Sequence, residues 1–308
     1  MRVRVLGCYG ADFYEKEKRR SKRYNPSGFL LNQSVVLDAG TICGALTLPE
    51  LAKIRYVFLS HAHMDHIQSL PFLAEILFGK IQSPIVIVGI EEVVAVLKKH
   101  FFNDALWPDF TRLPTPEHPI LRYQTIEIGK PMQVEGLEVT AIRVSHIVPT
   151  VGFIIEDDRS AMVYSGDTWE TEEIWKAASR TDRLKAVFIE SSFPDQLSML
   201  AKITGHLTPG ITHREFKKIK RPALPLYVYH MKPPYLAEIK KQVLELKSLK
   251  GYVLAYRNIG IFYENAVNRM LKDFVAAAKP KWCRVTGQFA TRGGMHSTVT
   301  AEFGKRLN

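Results

Sequence analysis

The 308-residue sequence predicts an α/β sandwich with helices outside the sheets. Three observations predict it. Short β-rich runs dominate early in the chain and alternate with helical patterns later. Several of these runs end on a histidine or an aspartate, where a strand would hand over to a loop. Hydrophobic residues make up 46% of the chain, enough for one large core, or for a domain with a smaller appendage.

In chain order, residues 3–6 read as a strand ending in Gly7. Residues 15–23 (EKEKRRSKR) read as a solvated loop, with a basic lip over a phosphate site as the functional alternative. Residues 27–31 and 34–37 are expected to pair as strands, closed by Asp38-Ala39-Gly40. Residues 48–53 are helical in pattern, and 55–59 (RYVFL) form a buried strand. A helix at 67–78, a strand at 85–88 and a helix at 91–100 follow. The proline-bearing stretch 101–119 reads as loop. Strands are predicted at 125–128, 137–144, 151–155 and 161–165, then a helix at 170–179 and a buried strand at 186–190 (AVFIE). A helix at 208–218, a strand at 226–229 and a helix at 235–246 end the main pattern. Thr208 before Pro209 reads as an N-cap followed by proline at the first helical position.

The formal net charge of +11 attracts anions, with phosphate-bearing substrates the obvious class, although solvated lysines account for it equally well. Cys8, Cys43 and Cys283 are widely spaced and form no CxxC, which points to reduced thiols and a cytoplasmic location. Residues 1–7 lack the apolar stretch of a signal peptide. No apolar run approaches the ~20 residues of a membrane helix, so no membrane partner is expected.

The strongest signal is His61-Ala62-His63-Met64-Asp65-His66. Imidazole and carboxylate donors suit zinc, and also manganese or iron. On a strand exit His61 and His63 point the same way and can grip one ion. Asp65 and His66 open the next helix and can face a second. His146, Asp167 and His230 each follow a predicted strand, where further ligands would be needed.

HxHxDH, a lone His, Gly-Asp and a late His together resemble the metallo-β-lactamase-fold superfamily over about residues 1–245. The resemblance implies a four-layer αββα fold and two divalent ions. His61, His63 and His146 would hold the first ion, Asp65, His66 and His230 the second, and Asp167 would bridge them. An aspartate at 167 argues against the β-lactamases themselves, but glyoxalase II shares it. The segment Glu190-Ser191-Ser192-Phe193, then Ala201, then Gly205-His206-Leu207-Thr208 resembles the phosphodiesterase branch. Its wording, with His230-Met231-Lys232-Pro233, is closer to the class II cyclic-nucleotide phosphodiesterases than to ribonuclease Z, whose long Gly/Pro-rich arm is not evident. The resemblance implies cleavage of a small anionic phosphodiester, foremost a 3′,5′-cyclic nucleotide, with RNA 3′-end cleavage as the alternative. Asp65 and His206 would be catalytic, His206 leaning in beside Asp65 to give a proton to the leaving oxygen. A homo-oligomer is expected.

Residues 246–308 form a second expected domain. Glu245-Leu246-Lys247-Ser248-Leu249-Lys250, Phe262-Tyr263-Glu264 and the Arg292-Gly293-Gly294 turn resemble the C-terminal half of the 7-cyano-7-deazaguanine (preQ0) reductases of queuosine biosynthesis. That implies a βαββ half of a T-fold: strand 252–256, helix 265–278, strands 282–289 and 295–302. It places Glu245 and Glu264 where that family contacts a purine-like base. The family's nucleophilic cysteine and its partner aspartate belong to an N-terminal half not matched here, and Tyr263 stands where a histidine is usual. A fusion, an oligomerisation module and a chimera all stay open.

Overall fold

Strands whose residues are apolar at consecutive positions are buried on both faces, which forces layers on either side of them. Gly28–Leu31, Val35–Leu37 and Ala161–Tyr164 are such strands, buried throughout. The computed structural model describes residues 1–17, 20–247, 263–292 and 295–304. They fall into two compact units, Met1–Leu244 and Glu245–Asn308.

In the first unit one six-stranded sheet runs β1 (Val3–Gly7), β4 (Gly28–Leu31), β5 (Val35–Leu37), β6 (Tyr56–Phe58), β7 (Ile85–Gly89), β8 (Leu121–Thr125). It is antiparallel up to β5 and parallel beyond. The other runs β14 (Leu226–Tyr229), β13 (Leu184–Glu190), β12 (Ala161–Tyr164), β11 (Val151–Glu156), β10 (Leu137–Arg143), β9 (Pro131–Val134). Between the sheets, Phe29 meets Tyr164 at 5.1 Å and Phe58 meets Phe153 at 5.8 Å between ring centroids. Helices α3 (Leu70–Leu77) and α4 (Glu91–His100) bury Leu73, Leu77, Val93 and Leu97 in this main core. Against the second sheet, α5 (Glu173–Arg180) and α7 (Pro209–Lys217) bury Trp175, Ile211 and Phe216 over Val163, Val187 and Ile189. The layers are therefore αββα.

Five local features differ from expectation. The charged segment is a hairpin, β2 (Phe13–Glu17) with β3 (Arg20–Tyr24), because its charges pair across the strands, Glu15 opposite Lys22, and Phe13 sits opposite Tyr24. The predicted strand at 125–128 lies earlier, as β8, and β9 was not anticipated. The helix expected at 67–78 is broken into α2 (Met64–Ile67) and α3, since Pro71 is tolerated only in a first turn. Helix α6 (Ser198–Thr204), ending on left-handed Gly205, was not anticipated either. The short α1 (Leu48–Leu51) starts in a capping box of Thr47 and Glu50. Helix α8 (Leu236–Lys247) follows β14.

In the second unit α9 (Tyr263–Ala278) packs on a hairpin of β15 (Trp282–Arg292) and β16 (Met295–Gly304). Val267, Leu271 and Ala301 form its small core. The strand expected at 252–256 lies outside the described residues, as do Gly293 and Gly294. Among the described residues, no helix is long and apolar enough to cross a membrane.

Candidate metal centre

The strand ends of both sheets converge on one edge. Just beyond β6 the chain reaches His61, and His63 is the N-cap of α2, whose first turn carries Asp65 and His66. Beyond β10, β12 and β14 lie His146, Asp167 and His230. His230 has φ 60°, a left-handed backbone unusual for a side-chain-bearing residue, and a Cβ on Gly10 would lie 2.9 Å from its Cε1. Glycine at position 10 is what lets β1's exit pass so close.

All seven predicted ligands come together. His63 Nδ1 lies 3.0 Å from His61 Nε2 and 3.4 Å from His146 Nε2. His230 Nε2 lies 3.2 Å from His66 Nε2 and 3.1 Å from Asp65 Oδ2. Asp167 Oδ2 stands between the two groups, 3.7 Å from His61 Nε2 and 3.3 Å from both His66 Nε2 and His230 Nε2. Ligand nitrogens about 2.0–2.1 Å from a tetrahedral zinc are about 3.3 Å apart, so these separations are those of donors facing a shared cation.

An outer ring of acceptors fixes which nitrogen faces inward. His66 Nδ1 lies 2.7 Å from Asp38 Oδ2, His146 Nδ1 2.8 Å from Gly205 O, His61 Nδ1 2.9 Å from Ser60 Oγ and His230 Nδ1 2.9 Å from Ser192 Oγ. Ser60 Oγ in turn donates to Asp38 Oδ2, and Ser192 Oγ to Glu190 Oε2, each at 2.8 Å. The network therefore assigns the N–H of these four rings to Nδ1 and leaves Nε2 as a bare lone pair. Asp38, wholly buried, also accepts from Ser60 N and Tyr164 OH.

Charge and burial say the same. Burial keeps the His61 imidazole well below its ordinary pKa, which leaves it neutral and able to ligate. Burial also opposes charge on His66, but Asp167 and Asp38 outweigh it and push its pKa well up. The negative potential that favours a proton there favours a metal cation too. Burial opposes ionisation of Asp167, yet His230 and His66 hold it well below the carboxylate range. Its other oxygen, Oδ1, is buried with no hydrogen-bond partner among the described residues. A buried carboxylate oxygen without a donor fits a ligand to a cation. The donor set fits divalent metals of the zinc, manganese or iron type.

His206 is buried, with Nδ1 2.8 Å from Glu190 Oε1 and 3.9 Å from Asp167 Oδ2. Among the described residues no hydrogen bond or ion pair joins it to Asp65, beside which the resemblance put it; its Nδ1 is held by the Glu190 carboxylate. Burial works against its charge, but Glu190 raises its pKa. Thr208 is the N-cap residue of α7 but makes no side-chain cap; Asp195 Oδ1 accepts from Gly210 N at 2.8 Å instead. In the second unit Glu245 is exposed near the end of α8. Glu264 lies in the first turn of α9, its side chain outside the described residues.

Sequence reasoning gave no role to Asp38, Ser60 or Tyr164, and used Glu190 and Ser192 only as part of the segment resembling the phosphodiesterase branch. Asp38 and Glu190 did carry a signal: each is an acid that closes an apolar strand (VVLD, AVFIE).

Fold and site together define a protein of the metallo-β-lactamase fold. The family model described as "Beta-lactamase superfamily domain" matches residues 35–231, and the chain belongs to that family. Yeast PDE1 superposes with a TM-score of 0.65 at 18% identity, over 84% of this chain and 94% of that one. The short form of human tRNase Z gives 0.56 at 19%, over 75% and 93%. At these identities the likeness is one of fold. A second family model, "QueF-like protein", matches residues 234–308. There the NADPH-dependent 7-cyano-7-deazaguanine reductase of Syntrophus aciditrophicus is 54% identical over 63 residues, 20% of this chain and 45% of that protein. The chain spans about half the length of the curated relatives it matches.

Proposed function

We propose that the first unit is a two-ion metal-dependent phosphodiesterase acting on a small anionic phosphodiester, foremost a 3′,5′-cyclic nucleotide. The observation that carries this reading is the buried Glu190–His206 pair set against the Asp167 side of the ligand cluster. It adds a proton donor to a cation-binding centre, and in-line cleavage of a phosphodiester is helped by both. Bound ions, zinc foremost, supply charge neutralisation at the phosphoryl oxygens and a lowered pKa for the attacking water. His206 gives its Nδ1–H to Glu190, so Nε2 is the atom that delivers a proton to the leaving oxygen. Asp65, with its side chain 27% exposed and Oδ2 directed at His230 Nε2, keeps its other oxygen for the proton that the attacking water sheds. The net charge of +11 draws an anionic substrate in.

The test is metal analysis of the purified protein together with hydrolysis of bis-p-nitrophenyl phosphate, 3′,5′-cyclic nucleotides and a precursor tRNA, before and after chelation. Metal-dependent cleavage of the small diesters supports the reading. Cleavage of the tRNA alone replaces it with RNA 3′-end processing.

The 54% identity of the tail carries a second reading, in which residues after 244 bind a purine-like base through Glu245 and Glu264. Titration with 7-cyano-7-deazaguanine, with NADPH oxidation followed in parallel, tests binding and turnover separately.

A further inference from the structure

A cavity of about 410 Å³ opens on the first unit between the β2–β3 hairpin, the loop after β5 and the start of α3. None of the seven predicted ligands lines it, but two of its wall residues, Gly40 and Gln68, neighbour the segment that carries Asp65 and His66. Gly40, in its wall, packs so closely on α2 that a Cβ there would sit 2.0 Å from Asp65 O. Gln68, in another wall, follows His66 by two residues, and Ala39 N donates to His66 O at 2.7 Å. The cavity therefore abuts the backbone of α2, the element that carries Asp65 and His66.

Its chemistry is specific. Phe72 is 54% exposed and Ile76 36%, an apolar surface that includes a flat ring. Arg23 is pinned to Asp12 by two hydrogen bonds, Nε to Oδ1 at 3.2 Å and Nη2 to Oδ2 at 2.8 Å, which leaves Nη1 as a donor on a fixed plane. Gln68 donates through Nε2 to Gly40 O at 3.0 Å, which leaves Oε1 as an acceptor. A ring face, a guanidinium plane and an amide acceptor suit a flat heteroaromatic ligand with donors and acceptors on its edge. A nucleobase has such an edge, and a nitrophenyl group does not.

We propose that this cavity is a nucleobase subsite: the diester cleaved at the metal centre is a nucleotide whose base stacks on Phe72 and is read by Gln68 and Arg23. The inference rests on the phosphodiesterase reading above, and the experiment separates the two. Full-length, metal-loaded wild type, Phe72→Ala and Gln68→Ala are assayed for kcat and KM on adenine and guanine 3′,5′-cyclic nucleotides and on bis-p-nitrophenyl phosphate. Loss of one base–aromatic stack is expected to lower the ratio of kcat/KM on cyclic nucleotide to that on bis-p-nitrophenyl phosphate by roughly 5- to 150-fold in Phe72→Ala, mainly through KM. Gln68→Ala is expected to change the adenine-to-guanine preference. Ratios that stay at the wild-type value in both variants overturn the proposal, as does a wild type that cleaves only bis-p-nitrophenyl phosphate. If the wild type cleaves no diester, the phosphodiesterase reading fails. The subsite is then judged by calorimetric titration with adenosine and guanosine: binding weakened in Phe72→Ala upholds it, and no binding overturns it.

Discussion

Four imidazoles at the centre have Nδ1 committed outward, and two carboxylates, Asp38 and Glu190, take most of that commitment directly or through a serine. Replacing Asp38 tests this. Asn is the informative choice, because it tolerates the residue's φ of 55° while removing the charge. Asp38→Asn is expected to weaken metal binding about 10- to 100-fold, read by competition with a chromophoric chelator. Glu190→Gln tests the other arm. Glu190 raises the pKa of His206 against the pull of burial, so it keeps that imidazole protonated to higher pH. A rate that needs protonated His206 falls as pH rises through that pKa. Removing the carboxylate lowers the pKa, so the alkaline limb of the kcat profile should move to lower pH. A limb that stays in place would assign the proton to another group. That these side chains gather at one place was legible in the sequence, because three histidines and an aspartate within six residues have few uses other than holding a cation. Their outer partners were not. A single acid after an apolar strand is as easily a turn residue, and only the fold reveals that Asp38 touches His66, Ser60 and Tyr164 at once.

At the scale of elements, strands with unbroken apolar runs were placed well, since burial on both faces leaves a plain signature. The β2–β3 hairpin was misread because its run of charged residues hides the strand pattern and its apolar residues sit at the base. Tyr24, at that base, is buried with Met231, Leu236 and Ile239, so the hairpin, the residue after ligand His230 and helix α8 share one small core. Ile239 is fully buried there. Ile239→Ala should cost about 2–5 kcal/mol of stability, measured by denaturant unfolding of the metal-free protein. A loss below about 1 kcal/mol would mean that α8 packs too loosely to hold this corner.

The two family matches meet near residue 233, whereas the compact units divide after Leu244. Helix α8 therefore falls inside the QueF-like match while its buried residues serve the first unit. Gln242 adds to this: its Oε1 accepts from Asp195 N at 2.9 Å, and Asp195 caps the first turn of α7. No composition shift or linker marks this arrangement in the sequence, because an amphipathic helix looks the same whichever core it joins. It can be tested by ending the chain at two places. A protein of residues 1–247 keeps α8 and is expected to melt cooperatively, with a transition raised by added zinc, since a ligand that binds only the folded state stabilises it. A protein of residues 1–233, cut where the family match changes, loses Leu236, Ile239 and Gln242. It should melt far lower, or fail to fold, and lose the zinc-dependent shift. Circular dichroism melts with and without metal distinguish the two outcomes. If both truncations melt alike, α8 contributes nothing to the hydrolase-like core, and the division of labour along the chain follows the family boundary instead.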